Sequence, residues 1–116
     1  MIASKLLLAA MATVGLAFDV TVWENPDCTG SSRDINVYDN TCSTPNLGFA
    51  AVTVNAYGAH RQQAKFHEAN NCGDDPFVDF WADGGGTAFV KGKCIPMIDA
   101  FSGDQVVANA MASVSS

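Results

Sequence analysis

Residues 20–30, VTVWENPDCTG, decide the fold because residues 64–73, AKFHEANNCG, repeat their pattern. A gapless alignment of the two stretches pairs Cys28 with Cys72. In each copy, a short run of alternating residues is followed by asparagine-rich turn formers and then by a cysteine. The chain is therefore predicted to contain two related halves, each opening on a β-strand.

Alternation of apolar and polar residues continues along the chain. In residues 33–39, Ile35 and Val37 are expected to face inward. The apolar residues recur every second position rather than every third or fourth, which favours strands over helices. We expect strands at residues 20–24, 33–39, 49–56, 64–68, 77–83 and 106–109, with an additional hairpin strand at residues 87–91. The turn-rich segments 39–48 and 70–76 are expected to be loops, and residues 57–63 to connect the two halves.

Neither half contains enough strands to cover its own apolar face. Packing the halves face to face supplies one common core. We therefore predict an all-β, two-repeat β-sandwich in a single domain, residues 18–110, with repeats at about 18–57 and 63–110. Residues 111–116 are small and polar, and we expect them to form a flexible tail.

The first seventeen residues have the composition of a secretory signal peptide. Lys5 precedes an apolar run at residues 6–12, and small residues precede Phe18. The apolar run is much shorter than the ~20 residues of a membrane-spanning helix. We expect removal of residues 1–17 and secretion of the remainder into the extracellular space.

The charge of the chain excludes some classes of partner. Without Lys5, five basic residues stand against twelve acidic ones, a net charge of −7. Nucleic-acid binding depends on basic residues that neutralise phosphates, and anionic membranes attract basic segments. We therefore expect no nucleic-acid partner and no membrane span, and we interpret the acidity as favouring solubility.

Four cysteines, an even number, predict two disulfides in an exported chain of this size. No C-x-x-C pair is present, which argues against a zinc site. Three pairings are open from the sequence, including the purely local one, Cys28–Cys42 with Cys72–Cys94.

The motif Trp23-x-x-x-x-Cys28-x-Gly30 resembles the opening of the Greek-key repeat of the βγ-crystallin family. With cysteine in the bulky position, it is most similar to the small secreted branch, which includes macadamia-type antimicrobial proteins, killer-toxin-like proteins and fungal effectors. The second copy departs from the motif, because its aromatic residue comes one position early and its glycine directly follows Cys72. The resemblance implies a Greek-key sandwich with the disulfides Cys28–Cys94 and Cys42–Cys72.

Many βγ-crystallins bind calcium, and Asp39, Asn40 and Ser43 nearly match the family's calcium loop. However, this segment lies seven residues too early, and residues 91–94, KGKC, offer no side-chain oxygen ligands at the matching cysteine. We treat these residues as a weak calcium candidate and expect no cofactor.

One candidate binding face consists of outward residues on corresponding strands of the two repeats: Asn36, Tyr38, Asp79 and Trp81. An exposed aromatic ring beside an amide or carboxylate suits stacking on a sugar. The competing interpretation is that both aromatic rings cover core edges. The carboxylate pairs and the two histidines, His60 and His67, are expected at the surface or between the repeats rather than in a catalytic site, and we expect no enzyme.

The sequence and the resemblance together predict a small secreted, monomeric, non-enzymatic effector or antimicrobial, toxin-like protein. Its acidity favours a host or competitor extracellular protein, or a cell-wall glycan, as the partner. The alternative is a calcium- or carbohydrate-binding structural module of the wall or extracellular space.

Overall fold

The computed structural model describes residues 16–59 and 61–115, which contain eight strands and no helix. The predicted signal peptide lies almost wholly outside these residues, as does His60. The strands are β1 (Leu16–Trp23), β2 (Ser32–Tyr38), β3 (Cys42–Ser43), β4 (Ala51–Ala56), β5 (Gln62–His67), β6 (Val78–Trp81), β7 (Cys94–Pro96) and β8 (Ala110–Ser115). The predicted mature N terminus, Phe18, falls two residues inside β1.

The strands form two four-stranded antiparallel sheets, which confirms the all-β prediction. One sheet has the order β2-β1-β4-β7 and the other the order β3-β8-β5-β6. Read in reverse, the second order is β6-β5-β8-β3, so β2, β1, β4 and β7 of the first sheet correspond to β6, β5, β8 and β3 of the second. Each sheet thus contains three strands from one half of the chain and one short strand from the other.

The core lies between the sheets and is rich in phenylalanine. The ring of Phe66 contacts the rings of Phe49, Phe80 and Phe89, with centroids 6.0–6.4 Å apart. The alternating valines of β1, β2 and β4 face these rings and are buried. Burying a side chain of this size stabilises the fold by about 1.5–3 kcal/mol, so this cluster is a principal source of stability.

The prediction of a hairpin strand at residues 87–91 is wrong. These residues belong to the connection from β6 to β7, and Phe89 is inserted from it into the core, where its ring stacks on Phe80. In the strand predicted at residues 77–83, alternation would place Phe77 outward together with Asp79 and Trp81. Phe77 is buried instead, because it precedes β6 and does not follow that strand's alternation.

The end of the chain also differs from the prediction. Residues 111–116 were expected to be a flexible tail, but β8 is paired on one side with β5 and on the other with β3. Residues 106–109, predicted as the closing strand, do not form a strand: Ala108 makes an isolated bridge to Phe49, and the N–H groups of Val106 and Asn109 donate to the carbonyls of Met97 and His67. Small residues suit β8 because Ala110, Met111, Ala112 and Ser113 are all buried in this inner strand.

Two disulfides join the halves of the chain. They link Cys28 to Cys94 and Cys42 to Cys72, the pairing that the resemblance implies. The loop predicted at residues 39–48 contains β3, which begins at Cys42. In the part of the chain that the structure describes, no helix is long and apolar enough to cross a membrane.

Candidate functional site

The four residues of the predicted binding face do not lie together. Asn36 and Tyr38 are on β2, and Asp79 and Trp81 are on β6. These strands are the outer strands of different sheets, and β2 contacts the β3–β8 end of the other sheet, opposite β6. The predicted face is therefore two separate surfaces.

The surface at β6 is centred on Trp81, whose ring is 41% exposed. In register, Trp81 lies opposite Gln63 on β5. The guanidinium carbon of Arg61 is 5.8 Å from the centroid of the Trp81 ring, a cation–π arrangement. Arg61 is oriented by its backbone N–H, which donates to Oδ2 of Asp83 at 2.8 Å.

Two shallow depressions adjoin Trp81. One, of about 280 Å³, lies between β6 and the following loop and is lined by Gln63, Asp79 and Thr87 among others. The other, of about 200 Å³, is lined by Arg61, Asp83 and Gly85 as well as Trp81. We call these two depressions and the ring between them the Trp81 surface.

The chemistry of the Trp81 surface suits an extended polar ligand. An exposed indole offers a flat apolar face, while guanidinium, amide, carboxylate and hydroxyl groups beside it can donate and accept hydrogen bonds. The carboxylate of Asp79 lies 3.6 Å from Nζ of Lys65, which places a positive and a negative group side by side. A pyranose ring needs this combination of a flat face and mixed polar groups at its edge.

The sequence pointed to Trp81 and to Asp79 beside it, but not to Arg61 and Thr87. Arg61 lies in the connection before β5, and Thr87 lies in the loop after β6. Nothing in the local alternation shows that these loops flank β6, since that proximity follows from the sheet order. Phe101 was missed as well: it is 89% exposed in the connection between β7 and β8.

In the weak calcium candidate, side-chain oxygens of Asp39 and Asn40 accept hydrogen bonds from the protein itself. Oδ1 of Asp39 accepts from the hydroxyl of Ser115 at 2.6 Å, and Oδ1 of Asn40 accepts from the Ser115 backbone N–H at 3.2 Å. Ser43 lies in β3 and pairs with Met111. These oxygens hold the end of β8, and the segment does not fit a calcium loop.

His67, which was expected at the surface or between the repeats, is buried at the end of β5. Its side chain is 3% exposed, and Nδ1 lies 2.9 Å from Oδ1 of Asp74. This contact fixes the loop after β5 against the end of that strand. Within the described residues, no group of three or more histidine, cysteine or acidic side chains could hold a metal ion.

A polar cluster on the other sheet contains an acid pair. The Asn55 amide donates to Asp19 at 2.8 Å and to Asp34 at 3.2 Å. Burial raises the pKa of Asp19 above its usual value, and a hydrogen bond with Asp34 and the charge of Asp34 raise it further, whereas Asn55 opposes the shift. The cluster ties β1, β2 and β4 together at the outer face of their sheet.

Comparisons of the chain with known protein families, with curated proteins and with solved structures find no match. The resemblance to the βγ-crystallin family stays a prediction, and function has to be argued from the surfaces of the molecule.

Proposed function

We propose that the protein acts outside the cell as a non-enzymatic effector or toxin-like protein that recognises a cell-wall glycan of a host or competitor. Two disulfides in so short a chain are consistent with an extracellular protein. The formal charge of −6 favours a target other than the anionic membrane surface.

The observation that carries this proposal is the Trp81 surface. The exposed indole lies between two open depressions, so a sugar chain crossing β6 would stack one residue on the ring. Its neighbours would reach Gln63 and Thr87 on one side and Arg61 on the other. Open, shallow sites of this kind suit polymers, whereas small molecules favour enclosed pockets.

For the fold, we propose a two-repeat Greek-key arrangement related to that of the βγ-crystallins. Two features support it. The four strands of one sheet correspond in order to the four strands of the other sheet, and each disulfide joins the two halves of the chain. The exchanged short strands, β3 and β7, then occupy corresponding positions in the two repeats.

The glycan proposal is tested by sedimentation of the purified protein with insoluble chitin, β-1,3-glucan and cellulose. We expect binding to at least one polymer, with Trp81→Ala weakening it about tenfold or more, since exposed aromatic anchors dominate such contacts. Tyr38→Ala is the matched control, because Tyr38 is a comparably exposed aromatic residue on the outer strand of the other sheet. Equal binding by the Trp81 variant, or no binding to any polymer, would reject the proposal.

The effector role is tested separately by applying the protein to host cells and to competing microbes. We expect a Trp81-dependent response in one of them. Glycan binding with no response in either would instead identify a structural module of the wall. Growth inhibition by a Trp81→Ala variant that no longer binds glycan would indicate a direct toxin.

A further inference from the structure

We propose that a groove beside Phe101 docks a segment of a partner protein in which an apolar side chain is flanked by lysine or arginine. The groove has two adjoining lobes of about 310 and 370 Å³, which share Asp75, Pro76, Phe77 and Phe101. We call it the Phe101 groove. It adjoins the Trp81 surface, with which it shares Asp79, but Trp81 itself does not line it.

Phe101 is presented at the tip of a well-connected loop. The carboxylate of Asp99 accepts from the N–H groups of Phe101 at 2.7 Å and Ser102 at 3.2 Å. The Gly103 N–H donates to the Asp99 carbonyl at 2.8 Å, and the Ala100 N–H donates to the Phe77 carbonyl at 2.9 Å. A loop whose backbone is already hydrogen-bonded loses little further entropy when its exposed side chain binds, which is a property of anchor residues at interfaces.

The connection that carries Phe101 is longer than its counterpart in the first half of the chain. Seven residues join β3 to β4, whereas thirteen join β7 to β8. Among the residues whose burial the structure describes, five large hydrophobic residues are exposed, and three of them, Ile98, Phe101 and Val107, lie in this longer connection. The connection therefore places apolar surface on the outside, while Met97 and Ala108 near its ends are buried in the core.

The walls of the groove are acidic, and its floor is apolar. Five of the chain's twelve acidic residues line the two lobes, and no lysine, arginine or histidine does. These acids are Glu68, Asp74, Asp75, Asp79 and Asp99. The floor is formed by Phe77, which is buried, and by half-buried Pro76 and Val78.

The negative charge of the groove indicates which kind of partner it binds. Carboxylates on both sides of an apolar floor complement a segment with an apolar side chain between basic ones, and they accelerate its approach. A second copy of this chain is disfavoured, because it carries twelve acids against six bases. An anionic membrane would be repelled by the same carboxylates. A neutral glycan would bring no positive charge to these carboxylates, of which Asp79 and Asp74 have only Lys65 and His67 beside them.

The test uses fluorescence anisotropy with an array of labelled 12-residue peptides, each having one aromatic or aliphatic residue between lysines or arginines. Two matched arrays replace the basic residues with glutamate, or the apolar residue with alanine. We expect binding only by the basic-apolar array, and weaker binding as NaCl rises from 50 to 500 mM. Phe101→Ala should weaken it about tenfold or more, and Asp75→Lys several-fold.

Matched variants separate docking from folding and from glycan recognition. Val107→Ala removes an exposed apolar side chain from the same connection, and Glu24→Lys reverses a charge in the turn after β1; both should bind as the wild type does. Trp81→Ala should keep peptide binding, and Phe101→Ala should keep polysaccharide binding. Failure of the glycan proposal would therefore leave this one standing.

Four outcomes would overturn the proposal. They are equal binding of the glutamate array, no binding by any peptide, displacement of the peptides by equimolar spermidine, and undiminished binding by the Phe101→Ala variant. Concentration-dependent dimerisation that Phe101→Ala abolishes would assign the groove to a second copy of the chain instead.

Discussion

The sulfur of Cys28 is bonded to the sulfur of Cys94, which fixes the turn after β1 to the first residue of β7. In the other sheet, the second disulfide fixes the segment after β5 to β3, since it joins Cys72, which lies after β5, to Cys42, the first residue of β3. Each bond is thus attached to the short strand that one half of the chain contributes to the other half's sheet. Strands of two or three residues have few hydrogen bonds of their own, so the disulfides hold the exchanged strands in place.

Removing either disulfide by paired Cys→Ala substitution should lower the free energy of unfolding by about 4 kcal/mol under the chain-entropy model. The loss should be slightly larger for Cys28–Cys94, which spans 66 residues, than for Cys42–Cys72, which spans 30. Urea unfolding of the two double variants measures both values. Peptide mapping without reduction provides the control, because recovery of Cys28–Cys42 or Cys72–Cys94 would contradict the structure.

Phe89→Ala should destabilise the protein by about 3–5 kcal/mol, because it leaves a cavity beside Phe18, Phe66 and Phe80. Phe101→Ala is the matched control, since it removes the same side chain from a position that is 89% exposed. Its effect should stay within about 0.5 kcal/mol. Thermal and urea unfolding of the two variants compare them directly, and similar losses would show that the connection from β6 to β7 packs differently.

The sequence predicted burial and strand positions well where apolar and polar residues alternate along a strand and the apolar face covers the core. Val20, Val22 and Val37 are buried as the alternation predicts, and β1, β2, β4 and β5 lie close to their expected positions. The sequence was misleading in two situations: where a residue of a connection is buried in the core, and where a strand is buried because it is paired on both sides. Phe89 is in the core without belonging to a strand, and β8 has a small, partly polar composition that resembles a tail.

The candidate surfaces were less predictable than the fold, because they combine residues that only the sheet order brings together. Trp81 could be identified from its outward position in β6. The depressions beside it depend on Arg61 and Thr87, which lie in different connections. Phe101 follows Cys94 by seven residues, as Phe49 follows Cys42, so the spacing alone would make the two phenylalanines correspond. The longer connection between β7 and β8 breaks that correspondence, so Phe49 is buried while Phe101 is exposed.

Gly30→Ala should destabilise the protein more than Gly92→Ala does. Both glycines have a left-handed backbone, with φ of 86° and 83°, so each substitution costs about 1 kcal/mol for conformation. A Cβ at Gly30 would also lie 2.8 Å from Nδ2 of Asn25, whereas a Cβ at Gly92 has nothing within 4 Å. The Asn25 amide donates to Thr29 at 3.2 Å, and the substitution would disturb that bond.

The measurement for these glycines is the difference in unfolding free energy between the two alanine variants. We expect an additional loss of about 1 kcal/mol at Gly30 from the disturbed turn. Equal losses would mean that the turn after β1 adjusts freely and that only the backbone conformation requires glycine there.

Asp39→Asn should destabilise the protein at neutral pH and have little effect in acid. The hydrogen bond from Ser115 lowers the pKa of Asp39 below 3.8, and contacts with Gln62 and the Asn40 backbone lower it further, against a small effect of burial. A carboxyl group with a lowered folded-state pKa contributes stability that is present above its unfolded pKa and is lost as pH falls through the folded one. Thermal unfolding between pH 2 and 7 tests this, and a variant equally destabilised at every pH would contradict it.

Asp19→Asn should have the opposite pH dependence, because the pKa of Asp19 is raised above 3.8, first by burial and then by Asp34. A carboxyl group with a raised folded-state pKa contributes stability that is present below its unfolded pKa and is lost as pH rises through the folded one. At neutral pH the wild type therefore retains an unfavourable charge that the variant lacks. Because Asp19 is only partly buried and screened by solvent, we expect a gain of about 0.5 kcal/mol.

The gain at position 19 should disappear as the pH falls well below the unfolded-state pKa of Asp19, where the wild type and the variant both carry an uncharged side chain. Asp34→Asn provides the control, because it removes the neighbouring charge and should itself stabilise the protein at neutral pH. The double variant should gain less than the sum of the two single ones, since either substitution relieves the same repulsion. Additive gains would show that the two carboxylates do not interact and that Asn55 is bonded to each of them independently.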